Sequence, residues 1–217
     1  MTTNRLITIS DPRSAAAEAY RTLRTNLMFT SVERPIHTLL VTSAAQSEDK
    51  SIVLANLAVT FAQSGHKTII VDSDLRRPTQ HEIWGTANDR GLTSMMLEDS
   101  ALSNPPLIGT GIDNLSLLPS GVLPPIPADV VSSQRMSEVI GILKARAQYI
   151  LFDAPPVLAA SDAAMLAVKL DGVVMAIRAG TTRREQAARA RQALERVHAR
   201  LLGAVLTNGE RESSAAY

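Results

Sequence analysis

The chain has 217 residues, a hydrophobic fraction of 45% and a formal net charge of +1 at pH 7. The nearly neutral charge gives no reason to expect nucleic acid as a partner, and an aromatic content of 3% argues against surfaces that stack single-stranded bases. The absence of cysteine excludes disulfides and thiolate metal sites. The length suits one α/β domain with a substantial core.

Short apolar runs alternate with helical patterns along the whole chain. The apolar runs predict strands at His37–Thr42, Thr68–Asp72, Leu115–Leu118, Tyr149–Asp153, Gly172–Ile177 and Gly203–Thr207. The amphipathic or Ala-rich segments predict helices at Ala15–Phe29, Lys50–Gln63, Ser133–Ala147, Asp162–Val168 and Arg183–Arg200. Nearly continuous Val, Ile and Leu is typical of parallel strands buried on both faces. The alternation therefore predicts an α/β fold with a doubly wound, mostly parallel sheet and helices on both faces.

The composition predicts one domain over residues 1–209 and a short disordered tail over residues 210–217, which are polar or small. The segment from Pro105 to Pro127 is rich in Pro and Gly, and it predicts loops around one short strand. The N-terminus lacks a signal-peptide pattern, and no apolar run approaches the ~18 residues that span a bilayer. We therefore expect a cytoplasmic protein that reaches the inner face of the membrane through a partner.

The stretch from Val41 to Ser51 looks like a phosphate-binding loop without its glycines. An apolar strand precedes it and a helix follows, which is the context that such a loop requires. Lys50 and Ser51 stand where a lysine contacts the outer phosphates and a hydroxyl contacts Mg²⁺. Ser47 lies three residues before the lysine, and Asp49 lies immediately before it.

Acidic side chains stand at the ends of two predicted strands. Asp72 and Asp74 close one apolar run, and Asp153 closes another. A carboxylate just past a buried parallel strand lies on the ligand side of the sheet, where the Mg²⁺ of a nucleotide is held. A single such Asp is more often a helix cap or part of a turn. Two of these strand ends together with a Lys-Ser loop favour a nucleotide site or its relic.

Charged residues elsewhere leave more than one interpretation open. Arg76 and Arg77 follow Asp74, and pairing with phosphates or an acidic surface is as good an interpretation as a solvated loop. Glu18, Arg21 and Arg24 recur every three residues, a spacing that by itself indicates an exposed helix with a local ion pair.

These features together resemble the bacterial tyrosine kinases of capsule and exopolysaccharide synthesis, the BY-kinases. The resemblance extends over residues 11–208. Residues 17–26 look like the family's Glu-x-x-Arg-x-x-Arg helix, which packs kinase domains into a ring. Residues 71–78 look like its second acidic motif, residues 152–157 like its Walker B segment, and Asn208 like an Asn associated with the nucleotide base.

The resemblance implies ATP and Mg²⁺ as cofactors if the site is functional. It assigns catalysis to Lys50, Asp72, Asp74 and Asp153, and Mg²⁺ binding to Ser51, Asp72 and Asp153. It assigns nucleotide contacts to Gln46, Ser47, Glu48, Asp49, Lys50, Ser51, Ile52 and Asn208. It implies self-association through Glu18, Arg21 and Arg24, as a ring of this chain or mixed with an active paralogue. It also implies a membrane adaptor of the polysaccharide co-polymerase type.

Two departures from the family's pattern stand out. The family loop usually reads Pro-Gly-Glu-Gly-Lys followed by Ser or Thr, and glycine permits close backbone approach and dihedrals that other residues disfavour. Asp49 also adds charge, and a carboxylate ~4 Å from one phosphate charge would repel it by ~4 kcal/mol at an effective dielectric of ~20. Family kinases usually end in a cluster of tyrosines, whereas this sequence ends with one, Tyr217, as a candidate phosphosite.

Three functions remain open on the sequence. The first is a weak or inactive kinase-like protein that acts as a scaffold or regulator of exopolysaccharide or capsule biosynthesis. The second is an active protein-tyrosine autokinase that tolerates an unusual loop. The third is a partition or division-site ATPase, which usually has a signature lysine where this chain has Ala45.

Overall fold

The computed structural model describes residues 6–30, 34–46 and 48–209. The strands in this part of the chain are β1 Thr38–Ser43, β2 Thr68–Asp72, β3 Ile108–Gly109, β4 Leu115–Leu118, β5 Tyr149–Asp153, β6 Gly172–Arg178 and β7 Leu201–Thr207. The helices are α1 Ile7–Ser10, α2 Ala15–Thr30, α3 Lys50–Gln63, α4 Gln80–Trp84, α5 Leu92–Leu97, α6 Asp99–Ser103, α7 Pro127–Ser132, α8 Gln134–Lys144, α9 Asp162–Ala167 and α10 Arg184–Arg196.

The strands form one sheet in the order β3-β4-β2-β5-β1-β6-β7. Neighbouring strands pair in parallel, except that β3 runs antiparallel to β4. The register sets Asp153 beside Val41 on one side and beside Asp72 on the other. The carboxyl ends of β1, β2 and β5 therefore meet at one edge of the sheet, as the predicted α/β fold requires.

Helices cover both faces of the sheet, and alternate strand residues divide between two cores. On one face, Leu39 and Val41 pack with Leu54 and Phe61 of α3. On the other face, Leu40 packs in the core that contains residues of α8, α9 and α10. Burial on both sides explains why the strands are apolar almost without interruption.

Helix α3 is buried from Val53 to Ala62, because it lies directly under the sheet. Its C-terminus is set by Gly65, which has a φ of +88° and lets the N–H of His66 return to the carbonyl of Phe61. The predicted bounds of this helix, Lys50–Gln63, are confirmed.

Other predicted bounds shift by a few residues. The helix expected at Arg183–Arg200 ends at Arg196, because His198 adopts a left-handed φ of 57° and the Ala199 N–H returns to the carbonyl of Leu194. Helix α8 begins after Ser133, whose side chain caps it by accepting from the N–H of Met136. The segment Pro105–Pro127, expected to contain one strand, also contains β3, which is too short to leave a periodic pattern.

Five short helices were not predicted: α1, α4, α5, α6 and α7. Each has four to six residues, which is less than two turns and too few for an apolar period to be recognised. In the described part of the chain, no helix combines the length and hydrophobicity needed to cross a membrane.

Candidate functional site

A cleft of about 630 Å³ opens at the edge of the sheet where β1, β2 and β5 end. Its walls come from the loop after β1, the segment after β2 and the Pro155-Pro156 turn after β5. Gln46, Glu48, Asp49, Lys50, Ser51, Ile52 and Asp74 line it, so most of the residues predicted to contact a nucleotide lie together.

Lys50 lies at the centre of this cleft, between two carboxylates. Its Nζ is 2.9 Å from Oδ2 of Asp74 and 2.9 Å from Oδ1 of Asp153. It also lies 3.4 Å from Oγ of Ser51. Burial opposes the lysine's charge, but the charges of Asp153 and Asp74 outweigh that effect and raise the pKa of Lys50 above its usual value. The ammonium is therefore a fixed positive charge at the cleft floor.

Asp72 is fully buried beside this pair. Its Oδ2 accepts hydrogen bonds from the backbone N–H groups of Thr79, at 3.0 Å, and Gln80, at 2.9 Å. Burial, reinforced by the charge of Asp153, raises the pKa of Asp72 well above its usual range, although the Gln80 N–H and Lys50 act in the opposite direction. The ionised form of Asp72 is thus unfavourable in the buried site, and a bound cation would stabilise it.

The donor set fits Mg²⁺ held jointly with phosphate. Oδ1 of Asp72 and Oγ1 of Thr79 are buried and have no hydrogen-bond partner among the described residues. Within that part of the chain, no group of three or more His, Cys, Asp or Glu side chains could hold a metal by itself. Mg²⁺ typically takes one or two carboxylates and completes its shell with phosphate and water. Asp72, Asp153 and the hydroxyl of Ser51 would supply the protein's part.

Asp49 occupies the loop position that the resembling kinases give to glycine, and it keeps a glycine-like backbone. Its φ of 57° and ψ of 19° are left-handed, a conformation that Asp tolerates better than most residues. Its carboxylate turns toward Arg178, whose Nη1 lies 3.2 Å from Oδ2. The side chains are 42% and 36% exposed, so solvent weakens this pair. The substitution therefore leaves the loop conformation accessible and part of the added charge compensated.

Glu48 anchors the loop from the inside. Only 2% of the residue is exposed, and its Oε2 accepts the backbone N–H of Ala45 at 3.0 Å. Its Oε1 accepts a hydrogen bond from the hydroxyl of Thr182, which in turn accepts the N–H of Arg178. Glu48 thus ties the loop to the connection between β6 and α10, and its two oxygens are occupied by protein donors rather than aimed at a ligand.

The two arginines after Asp74 have different roles. Arg76 makes a bidentate pair with the buried carboxylate of Asp162, with Nε–Oδ2 at 2.7 Å and Nη2–Oδ1 at 3.0 Å. Arg77 is exposed and donates to Oε1 of Gln46 at 3.2 Å across the cleft mouth. Both line the cleft. Arg76 is therefore a structural tie, whereas Arg77 is an exposed cation at the cleft mouth.

Asn208 does not line this cleft. It borders a second cavity of about 560 Å³ between α2 and β7, together with Tyr20. Asn208 has a left-handed φ of 54° just past the end of β7. Burial and the nearby charge of Asp49 raise the pKa of Tyr20 to about 12. The electrostatic effect of Asp49 thus reaches the second cavity as well.

The side chains expected to mediate self-association lie on α2 but are not equally free. Nη1 of Arg21 is 2.7 Å from Glu18, and its Nη2 donates to the carbonyl of Pro12. Arg24 is half-buried, and its Nη1 donates to the carbonyl of Thr60 in α3 at 2.7 Å. Arg24 therefore joins α2 to α3 within one chain. The predicted loop residue Ser47 and phosphosite Tyr217 lie outside the described residues.

Comparison with known proteins identifies the class. No family model matches. The chain is 41% identical over 208 residues to the tyrosine-protein kinase YwqD of Bacillus subtilis, which covers 96% of this chain and 87% of that protein. It is 33% identical over 206 residues to the putative tyrosine-protein kinase CapB of Staphylococcus aureus, covering 95% and 90%. The kinase domain of the Escherichia coli tyrosine kinase ETK superposes with a TM-score of 0.88 at 27% identity, covering 98% of this chain and 83% of that chain.

The fold and the cleft define a P-loop NTPase-like domain of the kinase type. The chain belongs to the bacterial tyrosine-kinase family of capsule and exopolysaccharide synthesis, as the resemblance indicated.

Sequence reasoning missed three residues of the site: Gln80, Arg178 and Thr182. Gln80 could have been found as the first residue of a helix, because Thr79 followed by Glu82 is a helix-start signal. Arg178 and Thr182 carry no such signal. They come from a distant part of the chain, and only the pairing of β6 with β1 brings them to the loop.

Proposed function

We propose that this protein is a kinase-like component of capsule or exopolysaccharide biosynthesis whose ATP site is weak or inactive, and that it acts as a scaffold or regulator. The observation that carries the proposal is the carboxylate of Asp49 in the wall of the cleft, next to Lys50. Related loops usually place glycine there, so a nucleotide's phosphates would meet a negative charge at close range.

The charge balance of the loop supports weak binding rather than none. A carboxylate near one phosphate charge costs up to ~4 kcal/mol, whereas an exposed pair such as Asp49 with Arg178 returns about 1 kcal/mol or less. Each 1.4 kcal/mol is a tenfold change in affinity, so we expect a loss of about tenfold to a thousandfold relative to a glycine loop.

An active protein-tyrosine autokinase is the second candidate. Lys50 contacts both Asp74 and Asp153, and Oδ1 of Asp72 has no partner among the described residues. Asp49 has a left-handed backbone, as a glycine at this position could have. In that case Lys50 would neutralise charge on the transferred phosphoryl group, and one carboxylate would orient the incoming tyrosine hydroxyl. Asp72, Asp153 and the hydroxyl of Ser51 would hold Mg²⁺, which would reduce the negative charge of the phosphates.

Self-association and a membrane adaptor belong to the same proposal. A scaffold needs contact surfaces more than chemistry, and Glu18 is 65% exposed beside Arg21 on α2. We propose that this part of α2 contacts a second kinase domain, either of this chain or of an active paralogue. Membrane association would then come through a polysaccharide co-polymerase type of adaptor.

Calorimetry with ATP and Mg²⁺ on the purified protein tests the proposal. We expect dissociation constants in the high micromolar range or weaker, and a gain of at least tenfold in the double variant Ser47→Gly with Asp49→Gly. A low-micromolar dissociation constant for the unchanged protein, together with phosphate transfer to tyrosine, would favour the autokinase. No gain in the double variant would show that these two residues are not the cause of weak binding.

A further inference from the structure

Gln80, the first residue of α4, connects the two carboxylates expected to hold Mg²⁺. It is fully buried. Its backbone N–H donates to Oδ2 of Asp72 at 2.9 Å. Its side-chain Nε2 donates to Oδ2 of Asp153 at 2.7 Å and to the carbonyl of Ser51 at 3.1 Å. One residue thus contacts each of the three residues assigned to the metal.

The orientation of the Gln80 amide is dictated by its neighbours. Trp84, one turn later in the helix, donates its Nε1–H to Oε1 of Gln80 at 3.2 Å. An indole N–H can only donate, and an ionised carboxylate can only accept. The amide oxygen must therefore face Trp84 and the amide nitrogen must face Asp153, because the flipped amide would lose its bonds to Trp84, Asp153 and the carbonyl of Ser51.

These bonds decide which carboxylate oxygens remain available. Oδ2 of Asp72 is held by two N–H groups, whereas Oδ1 has no partner among the described residues. Oδ1 of Asp153 contacts Lys50, and Oδ2 contacts Gln80. Both carboxylates are therefore fixed in rotation, and Asp72 presents a free oxygen. Hydrogen bonds to metal-binding carboxylates set their orientation and commonly change metal affinity by about 10–100-fold.

We propose that the side-chain amide of Gln80 is the positioning group that orients Asp153 toward a bound divalent cation beside the free oxygen of Asp72, and that Trp84 holds this amide in the orientation required. The proposal rests on the metal site of the function proposed above, but it does not depend on how tightly ATP binds. Trp84 is the one tryptophan of the chain, so its indole N–H gives a single signal inside this network.

The test follows that indole N–H signal by NMR on ¹⁵N-labelled full-length protein while Mn²⁺ is added without nucleotide. A paramagnetic ion at the carboxylates broadens the signal even when binding is weak. We expect saturable broadening in the unchanged protein, reversed by excess Mg²⁺. In Gln80→Leu the Mn²⁺ concentration for half-maximal broadening should rise at least tenfold. Should that variant not fold, Gln80→Asn, whose amide sits on a shorter stem, replaces it with the same expectation.

A matched control separates positioning from general destabilisation. The amide oxygen of Gln148 is likewise a hydrogen-bond acceptor, but its donor is the backbone N–H of Lys67 and it lies at the opposite edge of the sheet. Gln148→Leu should leave the Mn²⁺ dependence unchanged. Absence of local broadening in the unchanged protein, or equal Mn²⁺ affinity in Gln80→Leu, overturns the proposal. Neither result bears on ATP affinity, which calorimetry measures separately.

Discussion

The carboxylate of Asp49 lies 3.2 Å from the guanidinium of Arg178, which joins the last residue of the phosphate loop to the end of β6. A glycine at the position of Asp49 could not make this contact. The ion pair therefore depends on having Asp49 rather than glycine in the loop. Asp49 adds a negative charge, and Arg178 places a positive charge beside it. How far that cation offsets the charge can be measured directly.

A double-mutant cycle on this pair should show coupling in nucleotide affinity. Asp49→Gly should tighten ATP–Mg²⁺ binding at least tenfold, because it removes the repulsion. Arg178→Ala should weaken binding several-fold in the unchanged loop but have little effect once Asp49 is glycine. Calorimetry on the four proteins measures this, with Arg184→Ala as a control for a basic residue on the exposed start of α10. Equal losses in both backgrounds would mean that Arg178 contacts the nucleotide itself.

Replacing Lys50 should destabilise the fold as well as the site. Its Nζ neutralises the buried side chains of Asp74 and Asp153, and removing one partner of a buried pair typically costs about 3–5 kcal/mol. We expect Lys50→Met to lower the free energy of unfolding in urea by about 3 kcal/mol, since protonation of an acid offsets part of the loss. The exposed Lys67→Met should change it by about 0.5 kcal/mol or less. Unchanged stability in Lys50→Met would contradict a charged cluster in the folded protein.

The two arginines of α2 should affect stability differently, because Arg24 packs against α3 and Arg21 lies on the surface. Arg24→Ala removes the bond to the carbonyl of Thr60 and should lower the free energy of unfolding by about 1.5 kcal/mol. Arg21→Ala breaks a more exposed pair and should cost about 1 kcal/mol or less. Self-association is therefore best tested by light scattering on Arg21→Ala, with Arg24→Ala kept for stability. Loss of assembly only in Arg24→Ala would point to fold damage rather than a ring contact.

Asp171 should make stability depend on pH in acid. Although partial burial acts to raise its pKa, hydrogen bonds from Thr38 and His37 and the charge of Lys144 lower it below the usual value. A lowered folded-state pKa means that the stabilisation is complete above the unfolded value of about 3.9 and is lost as the pH falls through the folded value. Asp171→Asn should thus be less stable than the unchanged protein at pH 7, and the gap should narrow below about pH 4. Urea unfolding at pH 7 and below about pH 4 measures the difference in free energy of unfolding between the two proteins. A difference that does not change with pH would show that the charge of Asp171 is not what stabilises the fold.

The sequence predicted six of the seven strands described, because the buried strands carry nearly unbroken apolar runs, two of which end at Asp72 and Asp153. It missed β3, which has only two residues. It also located the side chains that line the cleft, since carboxyl ends of parallel strands must meet. It could not show that Glu48 points inward to Thr182, because that contact spans 134 positions. Nor could it show that Arg24 faces α3, since a spacing of three residues does not say what lies beneath a helix.

Because the strands other than β3 are parallel, the cleft lies at the edge formed by their carboxyl ends, and the opposite edge is formed by their amino ends. Lys67 and Gln148 contact each other at the amino-terminal edge of the sheet, and Asp171 lies at the same edge, at the opposite end of the strands from the cleft. Because Lys67 is exposed there, coupling the protein to a solid support through that edge would leave the cleft open to solution. Immobilised molecules would then present the cleft to a ligand in solution.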